Sequence, residues 1–463
     1  MGQKKHKKQP AGWAGILGIA ALERLKLRDW LLLLLVLLFA GFVRGWRLGF
    51  PDRQYFDECY YVPGAISYIE HTKDKNSVHP PLGKIQIAVG MRFGTLLNKL
   101  GFNLSEYTRW RVTVFTLGLL FVLLTYFLAY RVSGGKTDIA LAAMFFTSVD
   151  FMAVSLSRIS LLDMIVGFWM LVGYIFAWLY LEAKAEGGGR EMYYAWGSAI
   201  ACGITVACKW NGLFGGLTSF FIMLFLPAFS EKDSLKEHFR RFYKTYLKTA
   251  VKLALIFAVS VTAIYAASFI PRFNMQGYSA RTIRSIYKDH ERMVKFRYDI
   301  KQLNHRYLSK FYTWPFCIRP VWMHWDPCKV NKVKMVAGTI CIGSIFLWWP
   351  GFVFTLEMLY LGLKERTRGW IFIGCCYLGQ WIFWAVSTTG GFIYYLIPGV
   401  PFLAYAMANA VYDWSEEKSY GVLFLCIGLI AVSFALYYPF LSSILVYRSY
   451  FEALFPPFLH SWR

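Results

Sequence analysis

Two adjacent carboxylates, Asp57 and Glu58, are the first residues in the sequence whose types and spacing could do chemistry. They lie shortly after a leucine-rich segment and are flanked by Phe56, Tyr60 and Tyr61. Carboxylates held against aromatic rings near a bilayer are poorly solvated, which raises their proton affinity and suits general-base catalysis. A polar turn beyond a helix end would give the same pattern, so the pair alone leaves both interpretations open.

A rigid His-Pro-Pro turn begins at His79, because each proline fixes its own φ and favours an extended residue before it. The turn leads to Lys84 and the apolar stretch IQIAVGMRFG. This pattern is consistent with residues that contact a lipid phosphate, and equally with a turn that caps a juxtamembrane helix.

Four further cations stand where the phosphate of a membrane lipid would arrive. Arg44 lies near the outer end of the first apolar segment and Arg111 opens the second, while Arg158 begins SRISLLD and Lys209 lies in CKWNG. Any one of them could simply extend toward the membrane surface. Four cations on one predicted face of the membrane favour a phosphate site, since a guanidinium binds phosphate bidentately and lysine acts as a point charge.

The stretch NHRYLSKFYTWPFCIRPVWMHWD is dense in tryptophan and tyrosine. Such density is typical of an aromatic belt at the membrane surface. The functional alternative is a platform for a sugar or a peptide, with contacts from His305, Trp314 and Arg319.

Composition indicates a membrane protein as the scaffold for these residues. The 463-residue chain is 57% hydrophobic and 17% charged, against roughly 45–50% and about 25% in soluble domains. Apolar windows of the length needed to cross a bilayer recur along the chain. The eleven predicted spans are 30–48, 111–131, 137–154, 163–181, 193–208, 211–228, 249–270, 345–363, 370–387, 391–411 and 419–439.

Charge in the short connections predicts the orientation of the spans. Residues 1–29 carry seven Lys/Arg against two acids, and 230–248 carry six against three. Placing these segments inside puts the C-terminus and two long loops, 49–110 and 271–344, outside. We therefore predict a cytoplasmic basic tail over 1–29 and a single membrane domain over 30–463, with 49–110 as the catalytic loop and 271–344 as an aromatic, basic loop.

Net charge and cysteines exclude several other classes. The formal net charge is +23, but the basic residues are not gathered into a soluble domain and no nucleic-acid motif is present. We expect no nucleic-acid partner. No Cys/His cluster has zinc spacing, so no metal is expected. Cys317 and Cys328 share one loop, which permits a disulfide without indicating one.

Several motifs together resemble the protein O-mannosyltransferase family. FDECYY followed by HPPLGK is similar to the first lumenal loop of that family, which carries an Asp-Glu pair and a His-Pro-Pro turn. The resemblance continues in order through SRISLLD, ACKWNGL, NHRYLSKFYTWPFCIRPVW and FIYYLIPGVPF, over nearly the whole chain.

The resemblance implies an all-α fold of the GT-C type with eleven transmembrane helices, the N-terminus inside and the C-terminus outside. It implies a polyprenyl-phosphate-mannose donor and, as acceptors, Ser/Thr hydroxyls of exported proteins in extended form, with transfer during export as one option. Asp57 matches the proposed catalytic carboxylate of the family and Glu58 its neighbour. Arg44 and Arg111 match basic positions around the site.

Two departures from the family pattern are visible. The 271–344 segment has no room for the β-trefoil insertion of eukaryotic members, which favours a prokaryotic enzyme in the plasma membrane. Near the end, Thr388 and Thr389 replace a Pro-Arg pair, and Tyr395 stands in the place of a histidine.

Two other functions remain open from the sequence. One is a GT-C enzyme that moves a different lipid-phosphate-linked sugar to a lipid or glycan. The other is a transporter, which predicts broken helices at corresponding positions of two halves. The sequence shows no such symmetry.

Overall fold

The computed structural model describes residues 25–187, 189–227, 246–299, 305–387 and 390–455. The predicted basic tail and the 230–248 connection lie largely outside the described residues. Thr388 and Thr389 also lie outside them.

The fold is mostly helical, as the sequence predicts. Its helices in chain order are α1 (Leu27–Gly45), α2 (Glu58–Ile69), α3 (Leu82–Lys99), α4 (Glu106–Val132), α5 (Thr137–Val149), α6 (Phe151–Leu156), α7 (Leu162–Glu186), α8 (Glu191–Cys208), α9 (Gly212–Phe225), α10 (Leu247–Ala267), α11 (Ile270–Gln276), α12 (Ala280–Asp299), α13 (Ile345–Glu365), α14 (Arg368–Ile382), α15 (Val400–Glu416), α16 (Tyr420–Tyr437) and α17 (Arg448–Leu454).

Each of the eleven predicted spans overlaps at least one of these helices, and the span 137–154 overlaps two, α5 and α6. Among the described residues, seven helical stretches are long and apolar enough to cross a membrane, and the chain is a multi-pass membrane protein. These seven are Glu106–Val132, Leu162–Glu186, Leu247–Gln276, Ile345–Glu365, Arg368–Val386, Ile393–Glu416 and Tyr420–Phe440. The count of eleven spans and their orientation remain predictions.

The helices differ in how much of their surface is buried. Helices α7 and α15 are buried over most of their length, whereas α10 and α16 expose most of their apolar side chains. Helix α7 packs against α8, α4 and α9. It therefore lies in the core of the bundle, while α10 and α16 lie at the perimeter, where lipid would surround them.

The two long loops are not irregular. Residues 49–110 contain α2 and α3, and the His-Pro-Pro turn ends at Pro81, the N-cap position of α3. The turn therefore begins a helix, as its structural interpretation predicts. This agrees with the preference for proline at helix starts.

The second long loop adds a small antiparallel sheet, which the all-α prediction omitted. Strands β1 (Val321–Val330) and β2 (Val333–Cys341) form a hairpin, and β3 (Val446–Tyr447) pairs with β2. Asn331 and Lys332 form the two-residue turn, with φ of 49° and 69°. Positive φ at both positions is what a type I′ hairpin requires, and asparagine tolerates it well.

Candidate active site

Glu58 and Arg111 form a buried, bidentate ion pair at the start of α2. Arg111 Nε lies 2.8 Å from Glu58 Oε1, and Nη2 lies 2.9 Å from Oε2. Both side chains are fully buried. The backbone N–H of Ser160 also donates to Oε1, at 2.9 Å. The carboxylate is therefore engaged on both oxygens, as a buried charge must be.

Arg111 also closes the loop that precedes α2. Its Nη1 donates to the carbonyl of Leu48 at 2.9 Å, and Nη2 donates to that of Arg53 at 3.0 Å. Each nitrogen of the guanidinium thus has an acceptor within the protein. Arg111 thus fixes the backbone at two points before Asp57, and its ion pair with Glu58 fixes the chain directly after Asp57.

The sheet holds the same loop from the other side. Arg53 Nη2 lies 2.9 Å from His324 Nε2 on β1 and 2.9 Å from an Asp326 carboxylate oxygen. Burial, with the Arg53 charge, lowers the pKa of His324 to about 4. The ring is neutral, so Nε2 accepts from Arg53 and Nδ1–H donates to Ser443 Oγ at 3.1 Å.

Arg44 and Arg158 turn their guanidinium groups to backbone carbonyls. Arg44 Nη1 donates to Ser148 at 2.9 Å, and Arg158 Nη1 donates to the carbonyl of Arg44 at 2.7 Å. Both side chains are buried. These carbonyls lie at the C-terminal ends of α5 and α1, where unsatisfied acceptors and the helix dipole favour a cation.

Lys84 is likewise buried and paired. Its Nζ lies 2.5 Å from an Asp74 oxygen and also contacts the carbonyls of Asn76 and His79. The His79 ring packs on Tyr61, with centroids 5.7 Å apart. Lys84 thus holds the loop before α3 in place.

Asp57 differs from its neighbours because its carboxylate accepts no hydrogen bond from the described part of the chain. The side chain is half-buried. Burial raises the pKa of the Asp57 carboxyl to about 6, with Lys209 lowering it and Asp163 raising it. Asp57 is therefore a carboxylate of increased basicity that has not been neutralised by a partner.

A second charged pair lies beside Asp57. Lys209 Nζ is 2.8 Å and 3.0 Å from the two carboxylate oxygens of Asp163, at the start of α7. The same ammonium lies 4.4 Å from the ring centroid of Tyr395 and 5.8 Å from that of Tyr394. Tyr395 thus gives Lys209 a cation–π contact at the position where the family pattern has histidine.

Aromatic rings enclose this group of charges. Phe56, next to Asp57, packs edge-on against Tyr394 at 6.1 Å, and Tyr395 stacks on Trp384 at 4.6 Å. Trp314 packs on Trp384 at 5.6 Å. Rings of this kind keep water away from one side of the carboxylate and suit contact with a sugar face.

Comparison with known proteins decides the family. The dolichyl-phosphate-mannose-protein mannosyltransferase model matches residues 34–275, slightly more than half of the chain. The chain belongs to this family. It is a glycosyltransferase, and the resemblance noted in its sequence motifs is confirmed.

Relatives are found across bacteria and yeast. The polyprenol-phosphate-mannose–protein mannosyltransferase of Mycolicibacterium smegmatis is 23% identical, over 94% of this chain and 93% of the relative. Its Mycobacterium tuberculosis counterpart is 23% identical, over 90% of this chain and 89% of the relative. The dolichyl-phosphate-mannose–protein mannosyltransferase 1 of Saccharomyces cerevisiae is 30% identical over 41% of this chain and 24% of the relative.

Solved structures confirm the predicted GT-C type fold. The S. cerevisiae protein O-mannosyltransferase Pmt1-Pmt2 complex bound to the sugar donor superposes with a TM-score of 0.71 at 14% identity, covering 92% of each chain. ArnT from Cupriavidus metallidurans gives 0.52 at 15% identity, covering 87% of this chain and 63% of ArnT. At these identities the likeness concerns the fold.

The predicted site residues of this mannosyltransferase do not all meet. Asp57 and Lys209 are near enough for the Lys209 charge to lower the pKa of Asp57. Trp314 forms part of the aromatic wall, with Nε1 donating to Ser309 at 3.0 Å. His305 is exposed and packs on Phe392 at 5.2 Å. The remaining residue, Arg319, is exposed and makes no hydrogen bond or ion pair with the described residues.

Asp163 is a charged residue of this candidate site that the sequence prediction omitted. The sequence contains a signal for it, because Asp163 is the last residue of the motif SRISLLD and Lys209 lies in the motif ACKWNGL. Among the described residues, no group of three or more His, Cys, Asp or Glu could hold a metal ion. Cys317 is buried, Cys328 is exposed and both are free thiols.

Proposed function

We propose that this protein transfers mannose from a polyprenyl-phosphate-mannose donor to Ser/Thr hydroxyls of exported proteins, at the outer face of the cell membrane. The names of the bacterial relatives support the donor and the protein acceptor. The observation that carries the mechanism is the half-buried Asp57 carboxylate, which has no hydrogen-bond donor among the described residues.

Asp57 acts as the general base. With a pKa of about 6, it is about nine-tenths ionised at neutral pH, yet more basic than an exposed aspartate. It takes the proton of the acceptor hydroxyl while that oxygen forms a bond to the anomeric carbon of mannose. The bond from that carbon to the phosphate oxygen breaks, and the lipid phosphate leaves with the electron pair. A single displacement of this kind inverts the anomeric centre.

Lys209 stabilises the charge that grows on the leaving phosphate. An ammonium has three N–H donors, and Asp163 can take at most two of them, which leaves one for a phosphate oxygen. A donor placed in advance at a site with little water stabilises developing charge strongly. Asp163 is then the positioning residue for Lys209.

The other predicted phosphate ligands take structural roles in this proposal. Arg44, Arg111, Arg158 and Lys84 are buried and engaged by acceptors of the protein itself. Glu58 is bound on both oxygens, so it positions the loop and does not accept the substrate proton.

The aromatic wall is the proposed contact surface for the sugar and the acceptor. Trp314 acts there as a buried support for Trp384 and Tyr395. His305, at the exposed edge, is placed to contact the acceptor chain. Arg319 is exposed and makes no hydrogen bond or ion pair with the described residues, so its contact with the acceptor stays a prediction from the sequence.

The test compares Asp57→Asn with Asp52→Asn in the same loop, where Asp52 is exposed. Purified proteins are given polyprenyl-phosphate-mannose and a Ser/Thr peptide, and mannosylated peptide is quantified. Loss of a general base should cost about 10²- to 10⁴-fold for Asp57→Asn, with Asp52→Asn unchanged. Full transfer by folded Asp57→Asn would remove Asp57 from the mechanism. Mannose found only on a lipid or glycan acceptor would favour the alternative GT-C reaction.

A further inference from the structure

Helix α12 presents three distinct faces along its 20 residues. One face is turned to the protein: Thr282, Asp289 and Met293 are buried. Their spacing of seven and four places them on a single stripe, since successive residues are about 100° apart on a helix.

The buried stripe is held by polar contacts. Asp289 pairs with Arg272 of α11 and with Arg292, the latter at 3.1 Å. Arg292 also donates to Ser77 Oγ at 3.2 Å, and His290 Nε2 lies 3.0 Å from the Tyr265 hydroxyl of α10. The rotation of α12 about its own axis is therefore fixed against the bundle and the first long loop.

A second face of α12 is apolar and exposed. Ile283, Tyr287 and Val294 are 61%, 64% and 45% exposed. Their spacing of four and seven again defines one stripe, roughly 110° around the helix from the buried one. Exposed apolar side chains in a row mark a surface that another apolar phase covers.

A third face is cationic. Arg281, Arg284, Lys288 and Lys295 are all exposed and stand side by side on the helix. Among residues 280–296, the only opposing exposed charge is Glu291, at the border with the apolar stripe. The cationic row lies about 120° from the apolar row.

We propose that the apolar and cationic rows of α12 form a binding surface for anionic phospholipids, with the helix lying in the headgroup region of the membrane. A helix with one apolar face and one cationic face is the arrangement that binds at a lipid interface. Position supports this, because α12 follows directly after the helical stretch Leu247–Gln276, which is long and apolar enough to span the membrane. The occupant is a phosphate-bearing glycerophospholipid, chosen by charge complementarity.

This inference goes beyond mannose transfer and does not depend on it. Through Arg292 and Ser77, the lipid-bound helix would contact the first long loop, which also carries Asp57. Anionic lipid would therefore be part of the environment of that loop.

The test measures which lipids the purified full-length protein retains. The protein is equilibrated in an equimolar mixture of phosphatidylcholine and phosphatidylglycerol, and retained lipid is quantified by mass spectrometry. The variant is the triple substitution Arg284→Gln, Lys288→Gln, Lys295→Gln. Its matched control is Lys329→Gln, Lys332→Gln, Lys334→Gln, which removes three exposed lysines from the β1–β2 hairpin.

We expect wild type and the hairpin variant to retain phosphatidylglycerol preferentially, and the α12 variant to lose about tenfold of that preference. An unchanged preference in the α12 variant overturns the proposal, and so does equal retention of both lipids by wild type. If polyprenyl phosphate is added to the mixture and the α12 variant loses retention of that lipid alone, the cationic row binds the sugar donor and not a phospholipid.

A separate variant addresses the apolar row. Ile283→Ser with Tyr287→Ser should weaken retention of phosphatidylglycerol and phosphatidylcholine alike, while leaving the particle size unchanged. If wild type is a dimer that this variant separates, the row is an interface between two copies and the lipid surface is wrong. The outcome is independent of whether Asp57 is the catalytic base.

Discussion

Replacing Arg111 by glutamine tests whether this residue stabilises the fold through its ion pair with Glu58 or binds the donor phosphate, as the sequence suggests. Arg111 is fully buried and makes four hydrogen bonds, two to Glu58 and two to backbone carbonyls. The glutamine side chain is shorter and neutral, so Glu58 would keep only the N–H of Ser160 at 2.9 Å and a long contact to that of Tyr55 at 3.4 Å.

The expected cost follows from this loss. Removal of one partner of a buried ion pair leaves an uncompensated charge, which costs roughly 3–5 kcal/mol. Much of that penalty is the buried charge of Glu58. The double variant Glu58→Gln, Arg111→Gln should therefore be more stable than Arg111→Gln alone.

Heat stability of the purified variants in detergent, followed by size-exclusion chromatography, measures this. Arg109→Gln is the matched control, because Arg109 lies on the same helix and is half-buried. Its one hydrogen bond to a described residue is the donation to Thr95 at 3.0 Å. It should fall within about 0.5 kcal/mol of wild type. If Arg111→Gln is as stable as this control and instead raises the KM for the lipid donor, Arg111 faces the donor and our reasoning about the ion pair is wrong.

Three further predictions concern the site and the topology. Asp57 must be ionised to accept a proton, and its pKa is about 6. The value of kcat/KM should therefore rise as the pH increases through about 6 and level off above it. A flat profile down to pH 5 would exclude this carboxylate as the base. Lys209→Gln should weaken donor binding or transfer by roughly 10- to 150-fold, whereas Arg158→Gln should mainly lower heat stability; equal kinetic effects would contradict the division between them. In a cysteine-free background, an impermeant thiol reagent should label intact cells at Lys73→Cys and not at Ser234→Cys, and the reverse pattern would invert the orientation.

The helices of the eleven apolar windows were predictable from the sequence because apolar length alone indicates them, whereas α2 and α12 lie in the two long polar loops and were not predicted. All eleven windows contain helices, and the His-Pro-Pro turn begins α3 at Leu82. The small sheet was not predictable in the same way. Strands β1 and β2 pair with each other through a two-residue turn, but each strand is buried at one end and exposed at the other. Such strands lack the alternation of apolar and polar residues by which a half-buried strand is recognised in a sequence.

The cations show what sequence reasoning leaves open at the site. Position near a span end indicates that a charge needs a partner, but it does not say whether a lipid or the protein supplies it. Arg44 and Arg158 find backbone carbonyls at helix ends, and Arg111 finds Glu58. Lys209 is paired with Asp163, a residue that becomes its neighbour only when α7 and the α8–α9 connection are packed. The direction in which a side chain points depends on the tertiary structure. That direction determines whether each of these cations contacts the protein or faces the lipid.

The neighbours of Asp57 explain how its own carboxylate can lack a hydrogen-bond partner among the described residues. Arg53 is bound to β1, and Glu58 is bound by Arg111, so the loop is held at points before and after Asp57. The backbone is therefore fixed without any contact to the Asp57 carboxylate. A cation bound directly to it would lower its pKa and remove its basicity. Placing the stabilising contacts on Arg53 and Glu58 preserves a carboxylate that can still accept a proton. Substitution of Glu58 should consequently appear as lost stability, and substitution of Asp57 as lost turnover in a folded protein.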